Sequence, residues 1–492
     1  MLSQPLKLTH KIGEVGKHML IYGVGSALQS LLGFLLLPLY TNYLSTEEFG
    51  IYSFVTIIGS LSSVLFTIGL PSALNRFYFE KETETARNHV FSLLVLGTAA
   101  TIIVQIVIAF ALSSWLSTVI LDTPIYKWAV FMSMVSSALL MFLNLIFSYL
   151  RIHRRSVLFI TCNLTLFVVN VFINYFALSA LHWGVTAPFA GLLICNSAVL
   201  VFLLIYLRKH FVFYFNWAEL AYYGRFSFII TISGLLYYAF EWIDRFFIKE
   251  YMSLAEAGVY SLGYRIGMLI QVGLIIPFSM IWAPVRMQYS KDADTQHFFS
   301  LVTSYYSVVG LAAVAVTALF SHEILVLIAQ KPEYWAAAGV VPLIMLAHFF
   351  FGYQNILDFG IYSQNKQGFY ILIYSLSLLT NILLNILFIP RFGYIAAAYS
   401  KLASYIVHIT MIKVISDKHF TIPLEYRRLM LLFLTVLPVI VTMTIRSNWG
   451  EYNIALKILT LLGIFTSWFI FFFNDSEKKL VKKYYNSLIL RG

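Results

Sequence analysis

The sequence predicts an all-α polytopic membrane protein of fourteen transmembrane helices, and three observations carry that prediction. The first is composition. Of 492 residues, 60% are hydrophobic and 11% are charged, whereas a soluble domain carries about 25% charged residues. The second is run length. Fourteen mostly apolar stretches reach the roughly 20 residues that a spanning helix needs, and barrel strands would be shorter and would alternate. The third is charge placement. With the N-terminus in the cytoplasm and loops alternating, 23 of the 33 Lys and Arg fall inside, six outside and four within the stretches. A missed or extra helix in the middle would scramble that inside bias.

Taken in order, Lys7, Lys11 and Lys17 precede a first stretch at 19–41. It is too long for a signal-peptide core and lacks a small-residue cleavage site, so a retained helix is expected. Five more follow at 49–70, 90–112, 125–150, 156–180 and 184–207. The next six lie at 224–247, 257–280, 297–320, 339–362, 367–389 and 393–415. Two further stretches, 427–446 and 452–473, precede a basic tail expected along the inner leaflet, so both termini are expected in the cytoplasm. The net charge of +11 fits cationic loops facing anionic lipid headgroups and does not call for nucleic acid. The aromatic share of 17% suits interfacial belts as well as packing. Cys162 and Cys195 lie inside apolar stretches and read as small core residues.

The chain repeats itself. Residues 43–53, YLSTEEFGIYS, match residues 251–261, YMSLAEAGVYS, at six of eleven positions with an offset of 208. A second echo is the i, i+4 pair Asn170 and Asn174 in helix 5 against Asn381 and Asn385 in helix 11, each followed by a glycine turn at Gly184 or Gly393. Six helices separate the copies. An even number preserves orientation, which gives parallel repeats about an axis along the membrane normal. The expected domains are an N-terminal lobe at 1–215, a C-terminal lobe at 216–420, and helices 13 and 14 with the tail at 421–492.

Three segments carry a resemblance: GSALQSLLGFLLLPLYTNYLSTEEFGIYSFV near the start, GLPSALNRFYFE after helix 2, and IDRFFIKEYMSLAEAGVYSLGYRIG across helices 7 and 8. They resemble the polysaccharide transporter family of oligosaccharide flippases, which includes O-antigen flippases. That family shares a superfamily with multidrug and toxin extruders and lipid II flippases. The resemblance covers most of residues 15–415 and fades after helix 12. It implies a V-shaped fold of two lobes, a bacterial inner-membrane location, and alternating access. It also implies the cargo: an undecaprenyl-diphosphate-linked oligosaccharide moved to the outer leaflet for O-antigen, capsule or exopolysaccharide assembly. A glycan polymerase and a chain-length regulator are the partners it implies, besides membrane lipids.

Such a cargo needs cationic groups for its diphosphate, and arginine binds phosphate through paired hydrogen bonds. Arg265 lies eight residues into helix 8 and Lys401 at a similar depth in helix 12, where an unpaired cation is costly. Arg76 and Arg225, at cytoplasmic helix ends, are placed to recruit the headgroup, although both also suit ordinary positive-inside anchoring. Glu241 sits near the level of Arg265, and two readings stand together: a structural ion pair and a substrate or gating role. Asp244 and Arg245 are expected nearer the outer water. For proton or sodium coupling the acidic candidates are Glu241, Asp244 and Asp358. Asn381 and Asn385 offer amide oxygens, or simply hydrogen-bond between helices, and helix 11 itself carries no carboxylate. Tyr237, Tyr238 and Trp242 suit sugar stacking or packing, and His348 suits packing or a proton relay. Lys457 is expected to snorkel and to do nothing more.

No His-Cys-Glu metal cluster, nucleophile elbow or Gly-rich phosphate loop is present, so neither a cofactor nor an enzyme is expected. Two alternatives compete with the flippase. An exporter of cationic drugs on the same fold would want a net negative cavity. A multi-pass polymerase or ligase would want a sizeable outer loop, and the longest, about 321–338, is short.

Overall fold

The computed structural model describes residues 33–67, 70–289, 294–445 and 454–473, and every regular element among them is helical. In chain order these are α1 (Leu37–Tyr43), α2 (Thr46–Thr67), α3 (Leu70–Glu80), α4 (Glu84–Leu121), α5 (Lys127–Ile152), α6 (Ser156–Ser179), α7 (Thr186–Tyr206) and α8 (Trp217–Tyr251). Then come α9 (Leu254–Gly267), α10 (Ile276–Gln288), α11 (Thr295–Leu319), α12 (Ser321–Ile328), α13 (Val340–Gly352), α14 (Gln354–Leu357) and α15 (Phe359–Ser363). The last four are α16 (Phe369–Phe392), α17 (Tyr394–Ser416), α18 (Tyr426–Ile445) and α19 (Ile454–Phe471).

Among the described residues, twelve helical stretches are long and apolar enough to cross a membrane, so this is a multi-pass membrane protein. The expected count of fourteen is not reached among them. The first expected stretch, 19–41, lies mostly outside the described residues, as do the basic N-terminus and tail. The seventh coincides with α8, a continuous helix of 35 residues that carries Arg225, Glu241, Asp244 and Arg245.

Local chemistry explains where the helices begin and bend. Ser45 and Glu48 form a reciprocal capping box at the start of α2, with Ser45 N–H donating to Glu48 Oε2 at 2.8 Å and Glu48 N–H donating to Ser45 Oγ at 3.1 Å. Ser253 and Glu256 repeat half of the device before α9: Glu256 N–H donates to Ser253 Oγ at 3.2 Å, while the Ser253 hydroxyl donates to Glu256 Oε2 at 2.8 Å. Expected helix 8 is not one regular helix. A π turn over Gln271–Ile275 joins α9 to α10, and Ile276 N–H reaches back to Gln271 O. Pro277 supplies the cause, because its ring has no N–H and crowds the preceding turn. The turns expected at Gly184 and Gly393 are present, with φ of 50° and 70° that favour glycine.

The chain divides into two compact units, one of residues 1–261 with 368–393, the other of 262–367 with 394–492. In the first, α5 packs against α2, α4 and α7, while α16 packs against α8. Lipid gives apolar faces little reason to associate, so small residues and internal hydrogen bonds matter there. Ser133 on α5 donates to Val55 O at 2.8 Å, and Gln105 on α4 donates to Met134 O at 3.0 Å. Outward, α4 presents Ile103, Val107 and Phe110. In the second unit α13 packs against α17 and α11, and α18 against α11 and α19.

Loop contacts agree with the alternation of sides. Asp122, after helix 3, pairs with Lys249, after helix 7, at 2.7 Å, and both are expected on the outer side. At the opposite end, Tyr78 meets His153 at 2.8 Å across the loops that follow helices 2 and 4.

Candidate functional site

The first unit holds a buried polar cluster built by α8, α9 and α16. Asp244 is fully buried, and Glu241 and Arg245 are nearly so. The Asp244 carboxylate accepts from Tyr260 OH at 2.9 Å on one oxygen and from Asn385 Nδ2 at 2.9 Å on the other. Asn385 Nδ2 also donates to Asn381 Oδ1 at 3.2 Å. Arg245 donates to Ser261 Oγ at 3.2 Å and to the Glu241 backbone carbonyl at 3.1 Å. Its guanidinium lies 5.6 Å from the Tyr260 ring centroid, within cation–π range. Asn385 Oδ1 is buried and accepts no hydrogen bond.

The sequence leads to this arrangement in two steps. Tyr260 and Ser261 are the last two identities of the repeated segment, and in α9 they face α8 sixteen residues earlier. The i, i+4 spacing of Asn381 and Asn385 then puts both amides on one face of α16. The expectation that Asp244 and Arg245 lie nearer outer water is corrected. They are buried as deeply as Glu241, because Tyr260 and Ser261 of α9 and Asn385 of α16 close over them.

The repeat twin of this cluster is neutral. Asn174 Nδ2 donates to Asn170 Oδ1 at 2.7 Å, as in the second pair, but its own oxygen accepts from Tyr40 OH at 3.1 Å. A tyrosine hydroxyl therefore closes the first copy and a carboxylate the second. Only the second offers an anionic oxygen beside amide oxygens, a donor set suited to a hard cation.

The other expected residues lie elsewhere. Arg76 is exposed on α3 and pairs with Glu80 at 3.3 Å. Arg225 is exposed on α8. The two flank a stack of Phe77 on Tyr223, with centroids 4.4 Å apart, so α3 and α8 bring them to one neighbourhood. Arg265 is half-buried on α9 and Lys401 is buried on α17, and both belong to the second unit whereas Glu241 belongs to the first. Asp358 is buried in the second unit and ion-paired with Arg286 at 2.8 Å, whose guanidinium also donates to Asn355 O and stacks 4.4 Å from the Tyr362 ring. His348 bonds Gln271 of the π turn at 2.8 Å. Tyr238 and Trp242 contact each other at 5.0 Å. Lys457 does not snorkel. It is 1% exposed and pairs with Glu323 at 2.5 Å, a partner that sequence depth alone did not reveal. Among the described residues, no group of three or more His, Cys, Asp or Glu gathers to hold a metal ion.

No curated protein sequence matches the chain. Among solved structures, the lipid II flippase MurJ in an inward closed conformation superposes with a TM-score of 0.72 at 14% identity, covering 96% of this chain and 100% of that one. A multidrug resistance MATE family transporter of the MOP superfamily, inward-facing, superposes with a TM-score of 0.65 at 11% identity over 79% and 94% of the two chains. A MATE transporter of Vibrio cholerae gives 0.61 at 13% identity over 82% and 97%. These likenesses establish a shared transporter fold. The sequence profile described as polysaccharide biosynthesis protein matches residues 15–290, more than half of the chain, and the protein belongs to that family.

Proposed function

We propose that this protein is a flippase that moves an undecaprenyl-diphosphate-linked oligosaccharide from the cytoplasmic to the outer leaflet of a bacterial inner membrane, with both termini in the cytoplasm. The observation that carries the reading is the family match combined with a fold shared with a lipid II flippase. A polyprenyl diphosphate headgroup carries about two negative charges, and the chain offers cations at several levels. Arg76 and Arg225 are exposed near one end and suit recruitment, while Arg265 and Lys401 lie within helices and suit passage. The glycan belongs to O-antigen, capsule or exopolysaccharide assembly, so a polymerase and a chain-length regulator act next.

Coupling enters through the cluster at Asp244. Its carboxylate and the open Asn385 Oδ1 suit a sodium ion, and the carboxylate alone suits a proton. Glu241 stands one turn from Arg245 on α8 and is buried beside the cluster, which suits a gating carboxylate. Asp358, in the second unit and already paired with Arg286, supports the fold there more directly than it supports coupling.

Deleting the gene tests the reading. The expected result is accumulation of lipid-linked oligosaccharide facing the cytoplasm. Intact translocation with shortened polymer chains would mark a polymerase or its partner instead. Arg265→Glu should abolish transport while leaving the protein in the membrane, and normal transport in that variant would remove Arg265 from the pathway.

A further inference from the structure

The first unit holds a second polar feature that the cluster at Asp244 does not use. A cavity of about 230 Å³ lies among α1, α2, α5, α6 and α7, wholly within that unit. Three amides line it, Asn163 and Asn170 from α6 and Asn196 from α7, and no charged side chain does. The i, i+7 spacing puts Asn163 and Asn170 on one face of α6. Beside the amides lie Tyr52 of α2, Phe167 of α6 and Cys195 of α7.

Each amide has one end in use and one end open. Asn163 Nδ2 donates to Phe159 O at 2.8 Å, and its Oδ1 is buried without a donor. Asn196 Nδ2 donates to Ser136 O at 3.0 Å, and among the described residues nothing donates to its Oδ1. Asn170 Oδ1 accepts from Asn174 Nδ2 at 2.7 Å, which leaves Asn170 Nδ2 without an acceptor among the described residues. Gly191 of α7 makes room for this pairing, since a Cβ there would come within 2.7 Å of both Asn170 Oδ1 and Asn174 Nδ2. All three amides are more than nine-tenths buried. Buried amides ordinarily find partners. Here two acceptors and one donor are left open around one space.

We propose that this cavity is a saccharide subsite that takes one neutral sugar ring. Its open groups carry no charge and include both acceptors and a donor, which matches hydroxyls, because each hydroxyl both donates and accepts. A phosphate would find no cation in the lining, and a cationic drug no carboxylate. Tyr52 and Phe167 offer apolar surface to the C–H faces of a ring. The volume is below the roughly 300–1,000 Å³ of a drug-sized site, so it suits a single ring of a larger glycan. The two copies of the asparagine pair thus divide the work: the second meets Asp244, and the first borders a neutral space. The inference deepens the proposed function and rests on it for the source of the ring.

The test uses the cavity's own thiol. Cys195 lines the space, and Cys162→Ala leaves it the single thiol of the chain. Its modification by methyl methanethiosulfonate is timed on the purified full-length protein in detergent, with no gradient and no lipid-linked cargo. The probes are N-acetylglucosamine, methyl glucoside and cyclohexanol. The expected result is saturable slowing by at least one of the two sugars and none by cyclohexanol. Asn163→Leu should raise the sugar's half-saturation about five- to tenfold, the loss of one neutral hydrogen bond. Leu192→Phe fills the space, removes no polar group and should abolish the slowing. No slowing by either sugar, equal slowing by cyclohexanol, or an unchanged half-saturation in Asn163→Leu overturns the inference. So does a Cys195 that stays unmodified until denaturation, since a space that admits a ring admits the smaller reagent. If Asn163→Leu fails to reach the membrane, Leu192→Phe decides, and slowing that survives in it overturns the inference. Sugar protection in a protein that moves no lipid-linked oligosaccharide counts against the flippase reading alone, and transport without protection counts against the subsite alone.

Discussion

Asp244→Asn separates charge from packing in the buried cluster. In the native chain the carboxylate accepts two hydrogen bonds of 2.9 Å, from Tyr260 OH and Asn385 Nδ2. Each bond to a charged group contributes about 1.5–3 kcal/mol, and a neutral one about 1 kcal/mol. Asparagine keeps one acceptor oxygen and turns an amide N–H₂ toward the other donor. One bond is lost and the other weakened, for a cost of roughly 2–4 kcal/mol. Tyr260→Phe deletes a single bond and keeps the charge, for a cost of about 1.5–3 kcal/mol. The two variants should therefore melt at similar temperatures. They should differ in coupling. Reconstituted Asp244→Asn should lose the dependence of its initial transport rate on an imposed sodium or proton gradient, while Tyr260→Phe keeps it with a shifted half-saturation. Each 1.4 kcal/mol of altered ion binding shifts that half-saturation about tenfold. Unchanged gradient dependence in Asp244→Asn, with protein present at native density, would refute the assignment. Equal loss of dependence in both variants would refute it too, since packing and not charge would then be responsible.

Three further outcomes follow from single contacts. Arg286→Gln leaves a buried Asp358 without its ion partner and should destabilise the protein by about 3–5 kcal/mol, whereas Arg286→Met with Asp358→Leu should cost less; thermal melting in detergent ranks the two. Glu323→Gln strands the buried Lys457 and should lower the melting temperature more than Lys457→Met, which removes the buried charge itself. Burial, with His210 and Arg155 adding to it, pushes the His153 imidazole below its ordinary value, so the folded state resists protonation. Its contribution is present above the ordinary imidazole value and is lost as pH falls through the lowered one. Melting curves between pH 8 and 5 should show a fall in stability that His153→Gln flattens.

Much of the fold is legible in the residues because lipid imposes a simple rule: a backbone in hydrocarbon must bond to itself, so long apolar runs become helices. The repeat was equally visible, and the structure gives its identities physical work as caps and cluster donors. What the chain order hides is packing over distance. Asp244 looked close to water because only its own hairpin was in view. The cover comes partly from α16, whose Asn385 is 141 positions away in sequence. Lys457 looked like a snorkelling lysine for the same reason, its partner Glu323 being 134 positions away. The bend at Gln271–Ile275 was signalled by Pro277, a proline inside an apolar run, and closer reading of the residues would have found it. The missing carboxylate on helix 11 argued against a cation site, yet helix 7 supplies it from across the cluster.

Translocation in proteoliposomes tests the central claim most directly. The purified protein is reconstituted with a fluorescent undecaprenyl-diphosphate-linked oligosaccharide in one leaflet, and an impermeant glycosidase added outside reports arrival in the other. The account predicts arrival that depends on the protein, is abolished by Arg265→Glu, and exceeds that of a cationic drug offered to the same vesicles. Arrival no faster than in empty vesicles, with the cationic drug transported instead, would contradict it.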